Sequence, residues 1–244
     1  MGLTLVQNLL TLASAGLGAL LAVSIGISHR QLCAMISFAA GTLLGAAVFH
    51  IFPDAWHILP VSTIVIAIVS GYGLFFVISR YVFHVCPACA ASHFEHQPAA
   101  KIRSIFFLLA IALSIHSTMD GIAVALGGSL QNNAGHSIFF TVLIHKLPEG
   151  LALCALLLRA GYSRKKALAG TLLLEASTLL GWLIGIFLLK GFAASRWLDL
   201  LVVHIGGGFV YLALHAAISE AEEHSPRFVF LFFLTGMVLM GWIG

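Results

Sequence analysis

Long apolar stretches alternate with short polar connections along the whole chain. Each stretch has roughly the 20 residues that an α-helix needs to cross the hydrocarbon core of a bilayer. The pattern predicts an all-α membrane protein with a single transmembrane domain over residues 1–244 and no separate soluble domain. Eight segments are predicted, numbered 1 to 8 in chain order: 4–27, 32–52, 61–80, 104–127, 137–158, 167–189, 200–219 and 228–243.

Composition agrees with membrane embedding. The 244 residues are 60% hydrophobic and only 9% charged, whereas a soluble domain carries about 25% charged residues. The chain therefore lacks the polar surface that water requires, and the lipid bilayer is its expected environment. Four cysteines in scattered positions indicate no disulfide framework.

Basic residues predict the orientation. With the N-terminus outside, nine Lys and Arg residues fall in inner connections and two in outer ones, while Lys146 lies within segment 5. Because inner loops carry the excess of positive charge, both termini are predicted to lie outside. The net charge of +3 then reflects topology, and no nucleic-acid binding is expected. The small size favours a plasma membrane of the bacterial inner type.

Ionisable residues interrupt segments 4 and 5 near their centres. His116 precedes Asp120 by four residues, and His145 precedes Glu149 by four, so each pair lies on one helix face. Ionised groups at this depth are costly and normally mark a functional path. Imidazole and carboxylate ligands suit Zn²⁺, Fe²⁺ or Mn²⁺, and four ligands match the coordination number of Zn²⁺.

Two further ionisable residues adjoin these pairs. Glu175 lies within segment 6, where a metal ligand and a hydrogen-bond partner of another helix are both open interpretations. Asp120, Glu149 and Glu175 would carry three negative charges, and Lys146 reduces the sum to two. One divalent cation then neutralises the site. We therefore hypothesise that the Lys146 ammonium occupies the place of a second metal ion.

The two ionisable pairs belong to an internal repeat. Segment 4 reads IHSTMDGIAV from Ile115 and segment 5 reads IHKLPEGLAL from Ile144. Successive membrane helices run antiparallel, so the repeat implies a pseudo-two-fold axis in the membrane plane. The predicted architecture is an inverted repeat in which central helices 4 and 5 are flanked by two three-helix blocks.

The motif HSTMDG followed by HKLPEGLA resembles the paired signature of the ZIP (Zrt/Irt-like) family of metal-ion transporters. The resemblance implies eight membrane helices, outside termini and a cytoplasmic His-bearing loop between helices 3 and 4, here 81–103. It implies metal ligands on helices 4, 5 and 6, with an exit route at the inner end of segment 7. The primary ligands would be His116, Asp120, His145 and Glu149, while Ser117, Lys146 and Glu175 match an adjoining second position. At the inner end of segment 7, His215 and Glu220 are the candidate exit residues, although Ala216 stands where the family often has Glu.

These observations predict a transporter, not an enzyme. It would move divalent transition-metal ions into the cytoplasm by alternating access, Zn²⁺ foremost and Fe²⁺, Mn²⁺ or Cd²⁺ as alternatives. The metal is a transported substrate and no organic cofactor is expected. A homodimer is a candidate assembly. An intramembrane zinc hydrolase is the alternative, although its usual H-E-x-x-H is missing. The loop 81–103 contains Cys86 and Cys89 in a C-x-x-C, for which metal binding and an incidental occurrence in a disordered loop are both open interpretations.

Overall fold

A computed structural model describes residues 2–25, 28–82, 99–128, 133–192 and 196–243. These residues form eight helical segments and no strand. Segments 2 and 3 contain π-helical turns, and segment 6 is broken at Ala176. The segments are Gly2–Ser24; His29–Ala46, Ala47–Ile51 and Phe52–Trp56; Val61–Val77 and Ile78–Val82; Ala99–Gly127; Asn133–Arg159; Arg164–Glu175 and Ser177–Phe192; Arg196–Glu223; and Pro226–Ile243.

Membrane-spanning length is present throughout the bundle. Among the described residues, seven helices are long and apolar enough to cross a membrane by length and composition. The remaining one, segment 4, is 29 residues long and packs against segments 5 and 6. The prediction of an all-helical, multi-pass membrane protein is therefore confirmed.

Most observed helix ends extend the predicted ones, whereas the first helix ends at Ser24, before the predicted residue 27. Segment 2 was predicted to end at residue 52, but it continues to Trp56. Pro53 lies in the first turn of the short helix Phe52–Trp56, where a missing amide hydrogen costs nothing. Segment 4 begins at Ala99, inside the predicted loop 81–103. The cysteines and histidines of that loop fall in 83–98, outside the described residues.

The helices form two groups in space. Segments 1, 4, 5 and 6 pack together through the extensive pairs 1–5 and 4–6, and segments 2, 3, 7 and 8 through the pairs 2–8 and 3–7. Segment 2 also lies along segment 5 and joins the groups. The predicted three-helix blocks are thus interleaved, since segment 1 packs on segment 5 and segment 6 on segment 4.

Glycines permit the closest helix contacts. A Cβ atom on Gly121 of segment 4 would overlap the carbonyl oxygen of Thr178, and one on Gly181 of segment 6 would overlap that of Thr118. Such contacts require a residue without a side chain. The same reciprocal arrangement occurs at Gly18 and Gly150 (segments 1 and 5), Gly41 and Gly236 (segments 2 and 8), and Gly71 and Gly207 (segments 3 and 7).

Gly121→Ala is expected to destabilise the protein because the added methyl group has no space against Thr178. Forcing an extra carbon into a packed contact typically costs about 1–3 kcal/mol, so the melting temperature in detergent should fall. Gly73→Ala is the matched control, because nothing lies within 4 Å of a Cβ atom there. Equal melting temperatures for the two variants would contradict the importance of this contact.

Candidate metal centre

Four side chains from segments 4 and 5, two neighbouring helices of the group formed by segments 1, 4, 5 and 6, converge on one another. They are His116, Asp120, His145 and Glu149, and one ligand atom of each lies within 4.8 Å of the others. Asp120, His145 and Glu149 are buried, while the His116 side chain is 14% exposed. The i,i+4 spacing directs each pair to one helix face, and the packing of segments 4 and 5 brings the two faces together.

A backbone carbonyl orients His145. Its Nδ1 lies 2.9 Å from the carbonyl oxygen of Thr141, and since a carbonyl only accepts, Nδ1–H donates. The other nitrogen, Nε2, lies 3.2 Å from Oδ2 of Asp120. In a neutral imidazole this nitrogen carries a lone pair, which a carboxylate would repel, so a proton or a cation between the two atoms stabilises the arrangement. Metal-binding histidines are commonly held in this way by their second nitrogen.

His116 and Glu149 complete the cluster. His116 Nε2 lies 3.6 Å from Oδ2 of Asp120 and 3.8 Å from Oε2 of Glu149, and His145 Nε2 lies 3.9 Å from the same Glu149 oxygen. Nitrogen and oxygen ligands at ~2.0–2.2 Å from a tetrahedral Zn²⁺ stand about 3.3–3.6 Å apart. The observed separations are therefore close to those that one ion requires.

Two buried polar atoms of the cluster have neither a hydrogen bond nor an ion pair. Nδ1 of His116 and Oε1 of Glu149 have no hydrogen-bond partner among the described residues. Buried polar groups are nearly always satisfied in folded proteins, and an exception calls for an ion, a water molecule or a functional role. These atoms therefore mark the cluster as a place where a ligand is accommodated.

Lys146 lies next to the cluster and is fully buried. Its Nζ is 3.0 Å from Oδ2 of Asp120, 2.9 Å from Oε2 of Glu149 and 2.8 Å from Oε2 of Glu175. It also donates a hydrogen bond of 2.8 Å to Oγ of Ser117. One ammonium thus contacts three carboxylates from three segments.

Hydrogen bonds join segments 4 and 6 at the adjoining second position, which Ser117, Lys146 and Glu175 form. Ser117 Oγ lies 3.1 Å from Oε2 of Glu175 and 2.8 Å from the hydroxyl of Thr178. Glu175 is the last residue before the break in segment 6. These contacts bring together Ser117, Lys146 and Glu175, the three residues of the predicted adjoining position.

Segment 5 contains a proline but remains a continuous helix. Pro148 lies inside the helix Asn133–Arg159, which continues through it. Pro148 has no amide hydrogen to donate to the preceding turn. Segment 1 contacts this region, because Ser14 Oγ donates a hydrogen bond of 2.8 Å to the carbonyl oxygen of Leu143.

The two predicted exit residues are not members of the four-residue cluster. The His215 ring stacks on Tyr211 of the same helix at a centroid distance of 5.5 Å. Glu220 is fully buried and lies near Cys33 and His224. Thr141, whose carbonyl oxygen holds His145, is not part of any motif in the sequence. Its only signal is its position four residues before His145, the spacing at which a side chain meets a backbone carbonyl.

The helical bundle and its buried histidine and carboxylate cluster define an integral, multi-pass membrane protein with a candidate metal centre. The family model described as ZIP zinc transporter matches residues 88–244. The chain belongs to the ZIP zinc transporter family.

Individual relatives agree with this assignment. The chain is 27% identical over 228 residues to an uncharacterized protein of Methanocaldococcus jannaschii, covering 93% of this chain and 90% of that protein. It is 33% identical over 135 residues to zinc transporter zipt-7.2 of Caenorhabditis elegans, covering 51% of this chain and 28% of the relative. Zinc transporter ZIP13 of Mus musculus is 27% identical over 232 residues, or 79% of this chain and 63% of the relative. The chain therefore spans less than two thirds of these two zinc transporters.

Proposed function

We propose that this protein transports divalent transition-metal ions, Zn²⁺ foremost, across the membrane into the cytoplasm. The observation that carries the proposal is the buried cluster of His116, Asp120, His145 and Glu149, whose ligand atoms lie within 4.8 Å of one another. Family membership and the zinc transporters among the relatives support the same substrate class. The orientation assumed in this proposal, with both termini outside, is supported by the excess of basic residues in the connections assigned to the cytoplasm.

The primary site holds one ion in this proposal. His116, Asp120, His145 and Glu149 are its ligands, and Lys146 fills the adjoining position. With three carboxylates and one ammonium the site carries a charge of −2, which a single divalent ion balances. The contacts of 2.8–3.0 Å between Lys146 Nζ and the three carboxylates support this role, since the ammonium stands where a second cation would bridge the same oxygens.

Alternating access arises from movement of one helix group against the other. The primary ligands and the second position all lie on segments 4, 5 and 6, which belong to the group of segments 1, 4, 5 and 6. The group of segments 2, 3, 7 and 8 contacts the site from outside, for example through the Phe75 ring 6.4 Å from that of His116. When the group of segments 1, 4, 5 and 6 moves, the ion would keep its ligands while the other helix group exposes it first to one side of the membrane and then to the other, as in transporters built from repeats.

Helix packing supports the inverted repeat that this mechanism uses. In an inverted repeat, segments 1, 2 and 3 correspond to segments 6, 7 and 8, and segment 4 corresponds to segment 5. The packed pair of segments 1 and 5 then corresponds to the pair of segments 6 and 4. The pair of segments 2 and 8 corresponds in the same way to the pair of segments 7 and 3. These four pairs have the most extensive packing, and each has one reciprocal glycine contact. Gly121 and Gly150, which follow the carboxylates of the two motifs, take part in corresponding contacts.

Uptake into proteoliposomes tests the proposal. Saturable Zn²⁺ flux is expected for the protein as it stands, and His145→Ala should reduce it roughly tenfold or more, since loss of even an outer partner of a metal ligand costs that much. His136→Ala is the matched control, because His136 is an exposed residue of the same helix. Tight Zn²⁺ binding without flux, or equal flux for both variants, would contradict the proposal.

A further inference from the structure

A second cluster of metal-ligating side chains lies apart from the proposed transport site. Cys33 is near the start of segment 2, and Glu220 and His224 are at the end of segment 7. One ligand atom from each lies within 4.8 Å of the other two. Both segment ends are at the side of the membrane that the basic residues assign to the cytoplasm.

The local backbone sets the geometry of this cluster. The His224 amide donates a hydrogen bond of 2.9 Å to the Glu220 carbonyl oxygen, which extends the helical turn and places the two side chains four residues apart on one face. His224 Nδ1 lies 3.5 Å from Oε2 of Glu220, close to the ~3.3 Å edge of a Zn²⁺ tetrahedron with nitrogen and oxygen ligands. Cys33 and Glu220 are fully buried, and the His224 side chain is 14% exposed.

We propose that Cys33, Glu220 and His224 form a second metal-binding site, which takes Zn²⁺ or another thiophilic divalent ion such as Cd²⁺. A thiolate favours these ions over Mn²⁺ and Mg²⁺, which prefer oxygen ligands. The cysteine loses its proton on binding, and three protein ligands leave the fourth tetrahedral position to water. The ion enters and leaves the site past His224, the partly exposed ligand.

A bound ion at this site joins two helices that are distant in sequence. Segments 2 and 7 already pack within the same helix group, so the ion stabilises that group without linking it to the group that holds the transport ligands. Next to the site, Leu32 and Ile36 pack against Leu151 and Ala152 of segment 5, a short distance beyond Glu149. This site does not depend on the proposed transport activity.

Cadmium titration tests the site, because a thiolate bound to Cd²⁺ produces an ultraviolet charge-transfer band and the transport cluster contains no cysteine. The full chain is purified in detergent with Cys86→Ser and Cys89→Ser, which removes the C-x-x-C of the loop. A saturable band is expected, lost in Cys33→Ser and retained in Cys154→Ser, the matched control with a second buried cysteine.

His224→Ala supplies a test that does not depend on the folding of a buried-residue variant. It should weaken Cd²⁺ binding roughly tenfold or more, since removal of a direct ligand costs at least as much as removal of an outer partner. Asp120→Asn should leave the band unchanged, which separates this site from the proposed transport site. A band that persists in Cys33→Ser, or an affinity that His224→Ala does not change, would overturn the proposal.

Discussion

Asp120→Asn is expected to reduce zinc uptake by roughly a hundredfold or more, at the upper end of what metal sites lose with an outer partner. Oδ2 of Asp120 lies 3.2 Å from Nε2 of His145, 3.6 Å from Nε2 of His116 and 3.0 Å from Nζ of Lys146. This single oxygen therefore contacts every cationic or imidazole group of the site. Asparagine keeps the shape but removes the charge, so the ion loses its most central anionic ligand.

Two measurements separate binding from movement in this variant. Equilibrium Zn²⁺ binding in detergent and initial uptake rates in proteoliposomes should both fall, because the ligand acts on the bound ion itself. Asp199→Asn is the matched control, since Asp199 lies in the first turn of segment 7, away from the cluster. Unchanged Zn²⁺ affinity in Asp120→Asn would show that Asp120 is not a ligand.

Local patterns in the sequence predicted the helices and both ionisable pairs. Apolar length gives the eight segments, and the i,i+4 spacing places His116 with Asp120 and His145 with Glu149 without knowledge of the neighbouring helices. Helix ends were less accurate; for example, segment 2 continues past residue 52 because Pro53 lies in a first helical turn, where proline is tolerated.

Contacts between helices distant in sequence could not be predicted from such patterns. Cys33 and His224 are separated by most of the chain and neither belongs to a recognisable motif, so only packing of segment 2 against segment 7 reveals that they meet. The two helix groups are another example. Chain order suggested separate three-helix blocks, but reciprocal glycine contacts pair segment 1 with 5 and segment 6 with 4.

Lys146→Met is expected to destabilise the protein strongly in the absence of metal. Methionine has nearly the length of lysine, so little volume is lost, but Asp120, Glu149 and Glu175 are left buried without the ammonium that contacts all three. Removing one partner from a buried ion pair typically costs about 3–5 kcal/mol, because the remaining charge is uncompensated. The thermal unfolding temperature in detergent with a chelator measures this, and Lys166→Met, at an exposed lysine, is the control.

Added zinc then distinguishes a structural lysine from one that stands in place of an ion. With the ammonium gone the site carries −3, and a second Zn²⁺ can bridge the oxygens that Lys146 contacted. An ion that binds only the folded state stabilises it by about 2.7 kcal/mol at a hundredfold excess over its Kd, so zinc should restore much of the lost stability.

Lys146→Asp, which adds a carboxylate, should raise the stoichiometry measured by equilibrium dialysis from one ion per transport site to two. A stoichiometry of one in both variants, with no recovery of stability, would mean that Lys146 neutralises the carboxylates without occupying a metal position.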